Sequence, residues 1–160
     1  MMMDSSRSKG VNRRQLLSWG AVLAAAVAIP SRVWAALVRP EGAFVATALD
    51  EAFAELGGVP EINDAIRFAT PDIAENGAVV PIQIKVDAEQ LPNVSRVFVL
   101  VEKNPNPMAA AFDVPAGTDV YVETRVKVAQ TCNLYAVVEA DGQLFMQARE
   151  TKVTLGGCGG

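Results

Sequence analysis

Two cysteines, Cys132 and Cys158, are the most reactive side chains of this 160-residue sequence. The sequence contains no histidine, which excludes His-dependent triads, Cys–His nucleophile pairs and the usual imidazole-bearing zinc or copper sites. Two thiols are also too few for a four-cysteine zinc or iron–sulfur site. What remains is the chemistry of a lone thiol or of carboxylates, or no chemistry at all. We therefore expect no catalytic residue, no bound metal and no cofactor.

Cys158 lies in a glycine-rich segment after the last predicted strand. Residues 156–160, called the arm below, consist of Cys158 with Gly156, Gly157, Gly159 and Gly160. Glycine adds no side chain to a core and has the greatest backbone freedom, so the arm is predicted to be flexible. An extended chain spans at most about 3.3–3.6 Å per residue, which places the thiol no more than about 10 Å beyond Leu155. A thiol between glycines can enter a narrow pocket on another protein, and this indicates a site of covalent attachment.

The surroundings of Cys158 are not expected to activate its thiol. No cation lies within five residues, and the nearest is Lys152. Thiolate formation is favoured by nearby positive charge, which the arm lacks. We infer that partner enzymes supply the activation.

Cys132 has two interpretations that the sequence leaves open. Under strict alternation it shares a strand face with Leu134, Ala136 and Val138, which favours a small buried apolar residue. The alternative is a disulfide, either with Cys158 or with a partner subunit.

The first 35 residues have the features of a removable export signal. Arg13 and Arg14 precede an apolar run, 16–29, that stops at Pro30. That run is shorter than the roughly 20 residues of a membrane-spanning helix, and small residues follow it up to Ala35. We predict a twin-arginine export signal over 1–35, a periplasmic destination and no membrane anchor after cleavage. A buried N-terminal helix is the alternative.

Removing 1–35 changes the charge balance of the chain. The formal net charge is −4 for the whole sequence, and 9 basic against 17 acidic residues remain after removal. The resulting charge of −8 argues against binding to nucleic acid, which requires clustered Lys and Arg. A hydrophobic content of 51% supports one packed domain, predicted over 36–155.

Hydrophobic periodicity predicts a helical segment followed by strands. Helix formers occupy 43–56, a second short helix is expected over 61–68, and Asn76-Gly77 marks a turn. Strands are predicted over the ranges 80–86, 96–101, 120–128, 131–140 and 143–155. Asp141-Gly142 favours a two-residue hairpin between the last two, with Cys132 opposite Thr151. The predicted fold is mainly β: an antiparallel immunoglobulin-like sandwich of about five to seven strands, preceded by a short helical segment and followed by the flexible arm.

Three stretches and the leader together resemble the SoxY family, the sulfur-carrier subunits of the periplasmic Sox thiosulfate-oxidising system. The stretches are the arm after a Val-Thr-Leu strand, the sequence PDIAENG at 71–77 and the sequence EKNPNP at 102–107. The resemblance implies that Cys158 carries sulfur intermediates rather than catalysing turnover. It also implies a heterodimer with a SoxZ-like subunit, a haem-containing coupling enzyme, a sulfate-releasing hydrolase and, in many organisms, a sulfane dehydrogenase. Cys132 is not required by the family motif.

Two other functions remain as alternatives. A non-catalytic assembly or adhesion module of the same sandwich class would use the arm only structurally. A ubiquitin-like sulfur carrier would use the carboxylate after Gly159-Gly160, but that chemistry needs ATP, which conflicts with the export signal. The loop 104–107 is expected to be a surface connection or part of a subunit interface, because its prolines cannot join a central ladder.

Replacing Gly157 tests whether the arm must be narrow. Gly157→Val adds β-branched bulk beside the thiol and restricts the backbone. We expect slower turnover of the carried group by partner enzymes, with no change in the pH titration of the Cys158 thiol. Equal turnover of both carriers by every partner would contradict the steric argument.

Overall fold

Two helices and nine strands occupy residues 39–155, the part of the chain described by this computed structural model. The helices are α1 (Glu41–Val45) and α2 (Leu49–Leu56). The strands are β1 (Glu61–Ile62), β2 (Ile66–Ala69), β3 (Ile73–Asn76), β4 (Val80–Val86), β5 (Val94–Val101), β6 (Met108–Asp113), β7 (Tyr121–Val126), β8 (Cys132–Ala140) and β9 (Gln143–Leu155). The predicted leader, 1–35, and the arm lie outside the described residues. Within 39–155, no helix has the length and apolar composition needed to cross a membrane.

The strands form two sheets. The larger contains β9, β8, β5 and β6 side by side, and β1 and β3 both pair with the other edge of β9. The smaller sheet has the order β2-β4-β7. All pairs are antiparallel except those of β1 and β3, which run parallel to β9. The predicted sandwich after a helical segment is confirmed, whereas these two short parallel strands were not predicted.

The main core lies between the two sheets. In β4, buried residues alternate with exposed ones, as expected for a strand with one buried face. The inner face of β8 supplies Leu134, Ala136 and Val138, all fully buried. Both strands therefore follow the two-residue period that the sequence predicted.

A second cluster covers the outer face of the larger sheet. Phe53 of α2 packs edge-on against Tyr135, with ring centroids 5.8 Å apart and planes at 87°. Phe98 and Leu100 of β5 are buried on this side, while Val99 is buried on the other. The helices thus explain the unbroken apolar run of β5, which predicted a strand covered on both faces.

The predicted single helix over 43–56 is divided in two. Ala46 has an extended ψ of 141°, and a new helix begins at Leu49. The side-chain amide of Asn106 donates to the carbonyl oxygens of Val45 and Ala46, at 3.4 and 3.1 Å. These contacts satisfy carbonyl groups at the end of α1, in a place where a continuous helix would have bonded them internally.

The short helix predicted over 61–68 is wrong. This segment contains β1 and the start of β2, joined by a corner in which the Asn63 side-chain oxygen accepts the Ala65 amide at 2.9 Å. In β2, Ile66 and Phe68 point into the core and Arg67 is exposed. The alternating segment has only four residues, and within a window of eight residues its spacing cannot be distinguished from that of a helix.

The β8–β9 hairpin has the register predicted from its turn. Asp141 and Gly142 both have positive φ, 51° and 76°, as a type I′ turn requires. Nine residue pairs join the two strands, from Ala140 with Gln143 down to Cys132 opposite Thr151. The predicted opposition of these two residues is confirmed.

Candidate functional site

The end of β9 is the base from which the arm begins. Its last residues extend beyond β8 and pair instead with β3: Ile73 with Lys152, Ala74 with Val153 and Asn76 with Leu155. The Lys152 amide also donates to the Asp72 carbonyl oxygen at 2.9 Å. The strand is therefore held in the sheet through Leu155, three residues before Cys158.

Hydroxyl groups beneath the base fix the strand from inside. Thr151 is fully buried, and its Oγ1 lies 3.0 Å from Oγ1 of Thr70. Thr131 Oγ1 accepts the Val153 amide at 3.0 Å. Because the buried hydroxyl of Thr151 is paired with that of half-buried Thr70, it stabilises the end of β9 rather than weakening it.

Three connections meet around the base, and we call this region the arm end of the sandwich. They are the β3–β4 turn, the loop 102–107 and the segment 127–131. Asn104 joins two of them, because its side-chain amide donates to the Lys127 carbonyl at 2.7 Å and its side-chain oxygen accepts the Ala129 amide at 3.0 Å. The Val128 amide donates to the Gly77 carbonyl at 2.7 Å, and this bond joins the β3–β4 turn to the segment 127–131.

Both internal stretches that resemble the SoxY family therefore lie at the arm end. The stretch 71–77 contains β3, and 102–107 contains Asn104 and Asn106, whose side chains hold the 127–129 backbone and the end of α1. The expected surface connection at 104–107 is present, with Pro105 exposed. The contacts of these asparagines were not predicted from the sequence. The available signal was that each has a side-chain amide able to donate and accept, directly before a proline that cannot donate.

Charges at the arm end are mixed. Lys103 and Lys152 are exposed there, as are Glu75 and Glu150. The Glu102 carboxylate accepts both the backbone and the side-chain amide of Asn133 at 3.2 Å. Among residues 39–155, no group of three or more His, Cys, Asp or Glu residues is placed to hold a metal ion.

Cys132 is buried, only 4% exposed, in the core between the sheets. Burial raises the pKa of its thiol, and this outweighs the opposing backbone amide of Lys103. The thiol is therefore held in its protonated, unreactive form. The prediction of a small buried apolar residue is confirmed, and pairing with Cys158 concerns a residue outside the described range.

A depression of about 460 Å³ lies against β2, β4 and β9, where Arg67, Lys85 and Arg149 contribute to its lining. Arg149 precedes Leu155 by six residues. Six strand residues span about 20 Å, twice the reach of the arm. Arg149 is thus farther from Leu155 along β9 than the arm is long.

The fold and the base define a class: a two-sheet β-sandwich with helices on one outer face, whose last strand leads directly into a cysteine-bearing segment. The family model for the sulfur oxidation protein SoxY matches residues 51–158. The chain belongs to the SoxY family.

Comparison with solved structures supports this assignment. The sulfur carrier protein SoxY from Chlorobium limicola f thiosulfatophilum is similar, with 37% sequence identity and a TM-score of 0.56. The match covers 64% of this chain and 91% of that one. No curated protein matches the chain at a significant level.

Asn104 is predicted to stabilise the arm end. Asn104→Ala removes two hydrogen bonds and leaves the Lys127 carbonyl and the Ala129 amide without their partner, so we expect a loss of about 1–3 kcal/mol in the free energy of unfolding. Urea denaturation measures it. Asn106→Ala is the control from the same loop, because its bonds are longer and its side chain is exposed, so they should contribute less. A larger loss for Asn106→Ala would contradict the assignment.

Cys132 is predicted to make stability depend on pH. Its pKa is higher in the folded than in the unfolded chain, so above about pH 8.5 the unfolded state releases a proton that the folded state retains. The free energy of unfolding should therefore fall with rising pH, by at most about 1.4 kcal/mol per pH unit, until the folded thiol also ionises.

The measurement compares Cys132 with Cys132→Ala, both in a Cys158→Ser background, by urea denaturation at pH 7.5 and 9.5. The alanine variant should show the smaller decrease, because it lacks the thiol that ionises in the unfolded chain. The same pH dependence in both would show that the thiol is not desolvated.

Proposed function

We propose that this protein is a sulfur carrier of periplasmic thiosulfate oxidation, with Cys158 as its covalent attachment site. The observation that supports this most is the anchored end of β9: β3 holds the strand through Leu155, and the thiol follows only three residues later. Membership of the SoxY family and the likeness to a sulfur carrier protein support the same function. The domain positions the arm, and the arm carries the substrate.

The proposed cycle begins with oxidative coupling. The Cys158 thiol loses its proton, its sulfur bonds to the outer sulfur of thiosulfate, and two electrons pass to a haem-containing partner. A hydrolase then adds water to the sulfone group and releases sulfate, which leaves a persulfide on Cys158. A sulfane dehydrogenase oxidises the remaining sulfur to a sulfonate, with water supplying the oxygen atoms and the dehydrogenase taking up the electrons, and a second hydrolysis releases sulfate and returns the thiol. Each step takes place in a partner's active site, and the carrier contributes the sulfur atom that is modified.

The carrier domain itself is suited to remaining chemically quiet. Cys132, its second thiol, is buried and held protonated, so it does not compete with Cys158 for the substrate. Negative groups added to Cys158 find no cation within five residues of the sequence. We expect partner pockets to supply the positive charge.

The remaining parts of the proposal concern location and assembly. We propose that residues 1–35 direct the chain to the periplasm by the twin-arginine route and are then removed, leaving the domain 36–155 and the arm 156–160. The carrier is proposed to form a heterodimer with a SoxZ-like subunit. The pattern of residues 1–35 supports the first proposal, and family membership supports the second.

Cys158→Ser tests the carrier assignment. Intact-protein mass spectrometry, after incubation with thiosulfate and the purified coupling enzyme, should show an adduct on the wild-type chain and none on the variant. The free energy of unfolding should change by less than about 0.5 kcal/mol, because the arm is outside the predicted core.

Other mass-spectrometric results separate the alternatives. Loading of the Cys158→Ser chain would refute the assignment. A modified carboxylate after Gly160 would favour the ubiquitin-like carrier. An unmodified wild-type chain, with a coupling enzyme shown to be active on another carrier, would favour the assembly module.

A further inference from the structure

Two exposed isoleucines occupy equivalent places on the two short parallel strands. Ile62 of β1 is 76% exposed and pairs with Met146, and Ile73 of β3 is 60% exposed and pairs with Lys152. Both partners are even-numbered residues of β9, so both isoleucines lie toward the outer face of the larger sheet. They differ in their distance from the arm.

That difference follows from positions along β9. Lys152 is three residues before Leu155, or about 10 Å, whereas Met146 is nine residues before it, or about 30 Å. Cys158 reaches at most about 10 Å beyond Leu155. An active site that receives the thiol must therefore come within about 10 Å of the end of β9. The surface at Ile73 then lies close to the partner protein, and the surface at Ile62 does not.

The surface near the base has the composition of a small interface. Val79, in the β3–β4 turn, is 54% exposed and adds a second apolar side chain at the arm end. Exposed Glu75, in β3 itself, and exposed Lys152, which pairs with Ile73, supply polar neighbours. Apolar side chains surrounded by polar ones are typical of protein contact surfaces.

We propose that Ile73 and Val79 form a docking surface for the enzymes that act on Cys158. The partner that fits is a protein with apolar side chains around a narrow active-site entrance. The rim of that entrance faces the arm end while the Cys158 thiol is inside the partner's active site. The inference rests on the proposed function, since it assumes that Cys158 enters partner active sites. It adds that the domain surface, and not only the arm, is recognised.

The test uses the mature carrier assembled with its SoxZ-like subunit, as wild type and as two matched variants, Ile73→Ser and Ile62→Ser, each first shown to form the heterodimer. The purified coupling enzyme and the purified sulfate-releasing hydrolase are the probes, and kcat/KM is measured with the carrier as the varied substrate. Ile73→Ser should lower kcat/KM about tenfold or more for at least one enzyme, mainly by raising KM, as for a contact residue of an interface. Ile62→Ser should change it less than about twofold.

A measurement made without any partner enzyme distinguishes an effect on docking from an effect on the reactivity of the Cys158 thiol. The rate at which Cys158 reacts with a small disulfide reagent should be the same in both variants and the wild type. Where Ile73→Ser lowers the urea midpoint, Val79→Ser replaces it, because Val79 lies in the turn outside the strand pairs. A tenfold loss with Val79→Ser then supports the docking surface.

The results that would overturn the inference are distinct from those that refute the carrier. Equal kcat/KM values for Ile73→Ser and Ile62→Ser overturn the docking surface. If Val79→Ser is used instead, a kcat/KM equal to that of the wild type overturns it. Either result leaves the assignment of Cys158 intact, because wild-type loading is measured separately. Absence of wild-type loading refutes the proposed function itself.

Discussion

The pairing of β9 is the constraint on which the rest of the structure depends. On one side its register is set by the Asp141-Gly142 turn and continues through nine pairs with β8. On the other side two short strands divide its edge, β1 near the start and β3 at the end. A slip of one residue would turn Thr151 and Val153 out of the core, because side chains alternate between faces. The same slip would change the direction in which the chain leaves Leu155, so core packing and presentation of the arm depend on one register.

The larger sheet is covered on both faces, and this has a chemical consequence for the second thiol. β8 lies inside the sheet, with the smaller sheet over one face and α1 and α2 over the other. Cys132 on the inner face is therefore removed from water, and its pKa rises. A carrier with two accessible thiols could form an internal disulfide or accept substrate at the wrong sulfur. Burial within the central strands avoids both for the residue the structure describes.

Local patterns predicted the parts of the fold that depend on neighbouring residues. Burial determines the alternation of β4 and the continuous apolar run of β5, and local backbone geometry determines the turn at Asp141. The errors arise where distant residues decide. The predicted helix over 43–56 is interrupted where Asn106, about 60 positions away, binds its carbonyl groups. β1 and β3, with two and four residues, are too short to show a period, and they form strands because β9 offers an open edge.

The candidate site divides in the same way. The reactive residue and its glycine neighbours are evident from the sequence, because their chemistry does not depend on folding. The anchoring of β9 by β3 and the ties made by Asn104 required the tertiary structure, because they join segments separated by between 23 and about 80 positions. The sequence therefore predicted the reactive residue more readily than the contacts that hold the strand leading to it.

A short arm of glycines also places a demand on the domain. Fixing the backbone of a residue costs about 1–2 kcal/mol, and glycine loses more freedom than any other residue, so ordering the three residues from Gly156 to Cys158 in a partner pocket costs at least about 3–6 kcal/mol. The glycines have no side chains with which to offset that cost. Under the proposed function, the favourable contacts must come from the group carried on Cys158 and from the domain surface that the short arm brings near the partner. A longer arm would lessen the need for domain contacts but would increase the entropy lost, so the close spacing of Leu155 and Cys158 favours recognition through the anchored end of β9.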